Sequence, residues 1–316
     1  MRKISKAVEV ISVYKRFGKK EVIKEVSFDI DEGETVGFVG PNGAGKTTTI
    51  KMMTGLIRPT DGQIKIFGHD VVKKPLDAMR HVGCIVEKPE VYEFLTGFEN
   101  LAQIARIYRI GKEKIYEAAK FVGIDYALKE KAKKYSLGMK QRLALAMAIL
   151  TEPKLLILDE PTNGLDPSGI IELRNLLRSL SKNKKTTIFI SSHNLNEIEE
   201  ICEKVIFIKD GKIEMVKKLT QKEENGCKRF VVVLNPDNLE VSQITKIIEK
   251  FNQVKVVSTD GDKIEVELLK DKKMDFLNFL FQNNVPVRDF YEKTENLESV
   301  YLKIYSGEVL SNERSY

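Results

Sequence analysis

Hydrophobic and polar positions alternate over residues 8–30. In "EVSFDI", Val26, Phe28 and Ile30 fall on one face and the charges on the other, as in a half-buried antiparallel strand. "GETVGFVG" (33–40) is more continuously apolar. It predicts a buried strand that runs into a glycine-rich loop and then a helix, "KTTTIKMMTGL". "IRPTDGQIKIFG" returns to strand and turn, and residues 98–150 read as mostly helical. "KLLILDEP" and "TTIFISSH" are short apolar runs of the kind that lie inside a parallel sheet, with the amphipathic helix "SGIIELRNLLRSL" between them. "KVIFIKDGKIEMV" (204–216) predicts a hairpin around a Lys-Asp-Gly-Lys turn.

The pattern changes at 217–228, "KKLTQKEENGCK", a polar and charged stretch that reads as a linker. Beyond it come a strand "RFVVVL", a helix "VSQITKIIEKF", a hairpin around Asp260-Gly261, a helix "KMDFLNFLFQN" and a strand "VPVRDFYEK". The order βαββαβ predicts a small α+β domain with a ferredoxin-like fold. A last helix, "LESVYLKIYSG", places Leu297, Val300, Tyr301 and Ile304 on one face. The two halves show no internal repeat. The expected division is an α/β domain over 1–222 and the small domain over 228–316.

Composition narrows the class. A chain of 316 residues, 42% hydrophobic and 31% charged, has the makings of folded domains with a sizeable core and not of a disordered chain. The net charge of +6 demands neither nucleic acid nor an anionic membrane. Cys84, Cys202 and Cys227 have no metal spacing, so they are expected to be buried reduced thiols of a cytosolic protein. "MRKISKAVEV" has no signal-peptide core, and no apolar run approaches the ~20 residues of a spanning helix. Any membrane role is therefore expected to be peripheral, or through a partner chain.

The chemistry begins at "GPNGAGKTT", Gly40, Pro41, Asn42, Gly43, Ala44, Gly45, Lys46, Thr47 and Thr48. It fits G-x-x-x-x-G-K-[ST] between a predicted strand and a predicted helix, a phosphate-binding loop. Its glycines let backbone N–H groups face phosphate, Lys46 reaches the β and γ phosphates, and the Thr47 hydroxyl suits Mg2+. At the end of "LLILDEP", Asp159 suits Mg2+ and Glu160 an attacking water. His193 ends "TTIFISSH" where it can hold the γ-phosphate and the water, while His69 and His81 read as structural. "KKYSLGMKQRLALAMAIL" (133–150) then predicts a second helix N-terminus suited to an anion, with Ser136 as cap and Gly138 in the first turn.

Together these motifs resemble the ATP-binding subunits of ABC transporters, over about residues 8–220. The resemblance implies a P-loop ABC ATPase domain with a mixed-sheet core, an antiparallel β subdomain and a helical subdomain at about 88–140. It implies hydrolysis of ATP to ADP and phosphate with Mg2+. "YSLGMKQR" stands where the family carries the signature LSGGQ, which closes on the ATP of a facing subunit. Ser136, Leu137 and Gly138 would then serve the partner's nucleotide in a head-to-tail dimer, although Ser136 is equally a plain helix cap. Phe17 of "KRFG" would stack on adenine or sit as a core aromatic. Asp166 of "GLDP" would sense the other site or only cap the next helix.

The implied partners are a second ATPase subunit, identical or a paralogue, and a separate transmembrane permease. The subunit would be cytoplasmic, peripheral on the membrane's inner face, with no nucleic acid expected. Val91, Tyr92, Phe94 and Leu95 would line the permease groove or belong to ordinary core. Leu137 and Met139 depart from the signature. Glu87 stands where the family has a coupling glutamine and would touch Mg2+. With the C-terminal domain, these departures resemble the bacitracin-resistance and lantibiotic-immunity exporters, which implies export of a drug or antimicrobial peptide. The alternative is a non-transport ABC ATPase acting on ribosomes or nucleic acid. Such proteins usually carry two cassettes or an inserted coiled coil, and this chain has neither.

Overall fold

A computed structural model describes residues 5–219, 227–235, 241–252, 254–292 and 297–306. Most of the predicted linker, residues 220–226, lies outside the described residues, as do residues 307–316. The described residues of 5–219 and 303–306 form one compact unit, and those of 227–302 form another.

In the first unit β1 (Lys6–Phe17), β2 (Lys20–Asp31), β3 (Thr35–Val39), α1 (Lys46–Met53), β4 (Asp61–Ile66), β5 (His69–Asp70), α2 (Pro75–Met79) and β6 (Val82–Ile85) come first. Then follow α3 (Gly97–Tyr108), α4 (Lys112–Phe121), α5 (Leu137–Ile149), β7 (Leu155–Asp159), α6 (Pro167–Lys184), β8 (Thr187–Ser192), α7 (Leu195–Ile201), β9 (Lys204–Lys209) and β10 (Lys212–Lys218). The alternating strands make an antiparallel sheet of order β2-β1-β4-β5. The apolar runs make a mixed sheet of order β10-β9-β3-β8-β7-β6, parallel except for β10. Every residue of β3, β7 and β8 is buried, which is why their sequences show no alternation.

Three rings join the two sheets. Phe28 of β2 lies 5.8 Å from both Phe38 of β3 and Phe189 of β8, and the latter two are 5.3 Å apart. Each side chain of this size buried from water stabilises the fold by about 1.5–3 kcal/mol. The start of α3 is fixed locally. Thr96 and Glu99 form a reciprocal capping box, the Thr96 Oγ1 accepting from the Glu99 N–H at 3.1 Å and Glu99 Oε2 from the Thr96 N–H at 2.7 Å.

Parallel register sets the functional edge. Val39 pairs with Ser192 and Asp159 with Ser191, so β3, β7 and β8 end together at the carboxyl edge of the sheet. Loops leaving such an edge are where open α/β sheets bind ligands. Cys202 is buried as expected, and burial pushes its thiol pKa up. Cys84 is exposed, contrary to expectation. It sits in the edge strand β6, where alternate side chains face outward. The Cys227 side chain is outside the described residues.

The second unit contains β11 (Cys227–Leu234), α8 (Val241–Ile248), β12 (Val254–Asp260), β13 (Lys263–Leu269), α9 (Lys273–Gln282) and β14 (Val287–Glu292), with α10 (Leu297–Ser306) following. Its antiparallel sheet has the order β12-β13-β11-β14, the ferredoxin-like arrangement read from the βαββαβ pattern. Phe230, Val232, Ile244, Ile248, Phe276 and Leu280 are among its core residues.

Candidate active site

The loop from β3 to α1 is built for an anion. Gly45 occupies the N-cap position of α1 at φ 111°, and α1 has no side-chain cap and no acidic residue in its first turn. Among the described residues no side chain therefore accepts from the N–H groups of that turn, and the helix dipole adds positive potential. Only glycine fits at 45. The backbone is left-handed, and a Cβ would lie 2.5 Å from Ile23 Cδ1. Lys46 is 5% exposed. Its ammonium donates to the carbonyls of Gly40 at 2.7 Å and Pro41 at 3.3 Å, and pairs with Glu160 Oε1 at 3.1 Å.

Asp159 and Glu160 emerge from β7 as the sequence predicts. The Ser191 hydroxyl donates to Asp159 Oδ1 at 2.6 Å and accepts from the Glu160 N–H at 2.9 Å. Glu160 has a left-handed backbone, φ 45°, a strain of order 1 kcal/mol or more that points its carboxylate into the site. Besides Lys46, that carboxylate accepts from Asn163 Nδ2 at 2.6 Å and lies 3.0 Å from His193 Nδ1. Burial pushes the Glu160 pKa up, but the Asn163 and Lys46 hydrogen bonds and the neighbouring positive charge outweigh it, and the carboxyl rests below its usual range. Lys46, Glu160 and His193, 147 positions apart at the extremes, thus form one contiguous polar cluster.

A second helix N-terminus stands apart from this cluster. Ser136 caps α5, its Oγ accepting from the Met139 N–H at 3.2 Å, and both Ser136 and Leu137 are exposed. Ser136, Gly138, Gln141, Leu165 and Asp166 are among the residues lining a cleft of 380 Å³, and no phosphate-loop residue lines it.

Comparison with known proteins bears on this pair of anion sites. The family model described as ABC transporter matches residues 23–163. The bacitracin transport ATP-binding protein BcrA of Bacillus licheniformis is 38% identical over 306 residues, covering 96% of this chain and 99% of the relative. The chain belongs to the ATP-binding subunits of ABC transporters. The lantibiotic transport ATP-binding protein SrtF of Streptococcus pyogenes is 37% identical over 228 residues, 72% of this chain and 96% of that protein. Among solved structures, the ATP-binding cassette MJ0796, a dimer in a post-hydrolysis state bound to ADP and Pi, superposes with TM-score 0.62 at 27% identity. That match covers 67% of this chain and 98% of the cassette. This ABC subunit binds nucleotide and hydrolyses ATP to power transport.

The remaining expected residues of the ABC subunit fall as follows. Phe17 ends β1 and is 51% exposed, so it is not a core aromatic, and Lys15 Nζ lies 4.9 Å from its ring centre. Asp166 caps α6, accepting from the Gly169 N–H at 3.1 Å and the Ser168 hydroxyl at 2.6 Å. These bonds hold its carboxyl below the usual range. Glu87, at φ 65° after β6, pairs with Lys51 Nζ at 2.5 Å. Lys51 lies one turn beyond Thr47 on the same face of α1. Tyr92 and Phe94 are exposed, which excludes core packing for both, while Val91 and Leu95 are half-buried. A groove of 450 Å³ is lined by residues that include Leu56, Ile85, Ile104, Tyr108 and Met147. No helix among the described residues is long and apolar enough to cross a membrane.

The chemistry of the donors fits magnesium. Thr47 at the start of α1 and Asp159 at the end of β7 offer hard oxygens at the carboxyl edge of the sheet. No three Asp, Glu, His or Cys converge as a metal cage among the described residues. A cation here would complete its shell with phosphate oxygens and water, as Mg2+ does. Sequence reasoning missed Lys51, Gln141, Asn163 and Ser191. Ser191 and Asn163 adjoin motifs and were the more findable. Lys51 looks like an ordinary helix residue until its partner is known, and Gln141, though it lies inside "YSLGMKQR", shows no role of its own there.

Proposed function

We propose that this ATPase subunit drives export of a drug or antimicrobial peptide, as a head-to-tail dimer with two Mg-ATP between the subunits. The observation that carries the dimer is the separation of two anion-competent helix N-termini. That of α1 faces the Glu160 cluster, whereas that of α5 is exposed and borders a cleft with no phosphate-loop residue. An exposed helix end whose capping hydroxyl, while accepting from Met139, can still donate its proton suits a partner's γ-phosphate. The subunit's own residues act by position and charge. Lys46 and the α1 N–H groups hold the phosphates, Thr47 and Asp159 hold Mg2+, and Phe17 stacks on adenine. Glu160, steadied by His193, orients the water. Mg2+ supplies charge neutralisation on the phosphate oxygens.

The groove beside Leu56 and Tyr108 suits a short amphipathic helix of a permease, with the exposed Tyr92 and Phe94 as further apolar contacts. On this reading the subunit works on the cytoplasmic face of the membrane. The export reading rests on relatives that are a bacitracin and a lantibiotic transport protein. The ATPase domain is read over residues 1–222, with its helical subdomain at about 88–140, and the accessory domain over 228–302 and not to 316, since Lys303–Ser306 group with the ATPase unit.

The test is Glu160→Gln, which keeps the size of the side chain and removes the base. ATP should hold the variant as a dimer by light scattering, whereas the wild type hydrolyses ATP and separates. Binding confined to the closed state is what shifts the population. Adding Ser136→Arg should abolish the dimer. A Glu160→Gln chain that binds ATP yet stays monomeric, alone and with a permease, defeats the composite site.

A further inference from the structure

One face of the signature helix rests on the loop that follows the catalytic base. Leu137 leans over Gly164, where a Cβ would meet Leu137 Cδ2 at 2.6 Å, and Gly138 lies against Leu165. One turn on, at the i+4 position from Leu137, the Gln141 side-chain amide donates to the carbonyl of Pro161. A carbonyl oxygen only accepts, so the amide nitrogen must be the group that faces it. Pro161 directly follows Glu160. Two residues further, Asn163 returns a hydrogen bond to the Glu160 carboxylate. From its other side the loop is fixed by Thr162, whose hydroxyl donates to Glu197 Oε2 of α7 at 2.7 Å.

Gln141 is a strange residue for mere filling. It is 5% exposed, and its Oε1 is buried with no hydrogen-bond partner among the described residues. An apolar side chain of the same volume would occupy that space without leaving an unmet polar atom. What no apolar side chain supplies is the directed bond to the peptide beside the base.

We propose that Gln141 is a positioning residue for Glu160, tying the helix that reads the partner's nucleotide to the base of the chain's own site. The inference rests on the dimer reading above. Movement of α5 on the partner's phosphate then carries through Pro161 to the Glu160–Asn163 turn, a contiguous chain of packed and bonded groups. Each chain thereby links the two nucleotides of the dimer.

The experiment uses the full chain with Gln141→Met, which keeps length and volume and removes the donor. With the base misplaced, kcat for ATP should fall roughly 10-fold to 100-fold while KM stays within about threefold. The unfolding midpoint should be unchanged, and Gln141→Met in the Glu160→Gln background should still dimerise with ATP. Combining Gln141→Met with Asn163→Ala should cost little more than the worse single change, because both act on one turn. Wild-type kcat in Gln141→Met overturns the proposal and leaves the dimer reading intact. Parallel losses of kcat, dimer and thermal stability show a structural residue and overturn it as well. So do strictly additive effects in the double variant. Loss of the ATP-held dimer in Glu160→Gln alone removes both readings.

Discussion

Replacing Lys46 by alanine separates the cost to the fold from the cost to the chemistry. In the folded chain the ammonium satisfies two carbonyls and one carboxylate. Two hydrogen bonds to neutral acceptors contribute about 0.5–1.5 kcal/mol each, and a charged one about 1.5–3. Against these stands the cost of burying an ammonium that is only 5% exposed, which the substitution removes. The net loss of stability should therefore be about 1–3 kcal/mol. In a unit of this size, at about 2–4 °C per kcal/mol, that is a shift of about 2–12 °C. The loss in hydrolysis should be larger. Removing one preorganised charge contact to the transition state costs about 3 kcal/mol or more. That is roughly 150-fold in rate, at 1.36 kcal/mol per decade. The assays are steady-state phosphate release, nucleotide titration by calorimetry and thermal unfolding on the same preparation. A variant that hydrolyses ATP within a few-fold of wild type refutes the assignment of the phosphate site. A variant that fails to fold would refute the balance drawn here between lost hydrogen bonds and relieved burial.

Glu87→Gln removes the pairing with Lys51, which is an exposed contact worth little to stability. ATP binding and the unfolding midpoint should hold, with the change seen in permease-stimulated hydrolysis. Unfolding would make Glu87 a structural residue instead. A chain ending at residue 222 should bind ATP with the affinity of the full chain, because the candidate nucleotide residues lie between Phe17 and His193. Loss of binding in a truncated chain whose circular dichroism is that of a folded protein would show that later residues complete the site. Phe189→Ala opens the ring cluster between the two sheets and should cost about 3–5 kcal/mol in urea unfolding. A loss under 1 kcal/mol would mean that the sheets are not joined through these rings.

Much of the site was legible because its parts are local. The phosphate loop is nine consecutive residues whose conformation follows from glycine positions between a strand and a helix. The caps at Ser136 and Asp166 are short-range signals of the same kind, and both side chains accept from N–H groups three residues on. The buried strands β3, β7 and β8 announce themselves by continuous apolar runs, since burial on two faces leaves no polar position to alternate with. The βαββαβ order was readable for a related reason: each element is short enough for its own periodicity to define it.

What joins these parts was decided by the tertiary structure. Lys46 meets Glu160 across 114 positions and Ser191 meets Asp159 across 32, because the parallel register of β3, β8 and β7 brings their ends together. Periodicity could not say whether Phe17 was core or surface, since that depends on what covers the end of β1. Cysteine spacing, the basis for expecting buried thiols, could not place Cys84, whose burial depends on whether β6 is a central strand or an edge. α5 shows the limit most clearly. Its apolar residues spread around the helix, so hydrophobic spacing singles out no face for Gln141. Local chemistry fixes which conformations a segment favours. The partner of a buried polar group is set by which distant backbone the fold delivers to it, and no short-range pattern encodes that.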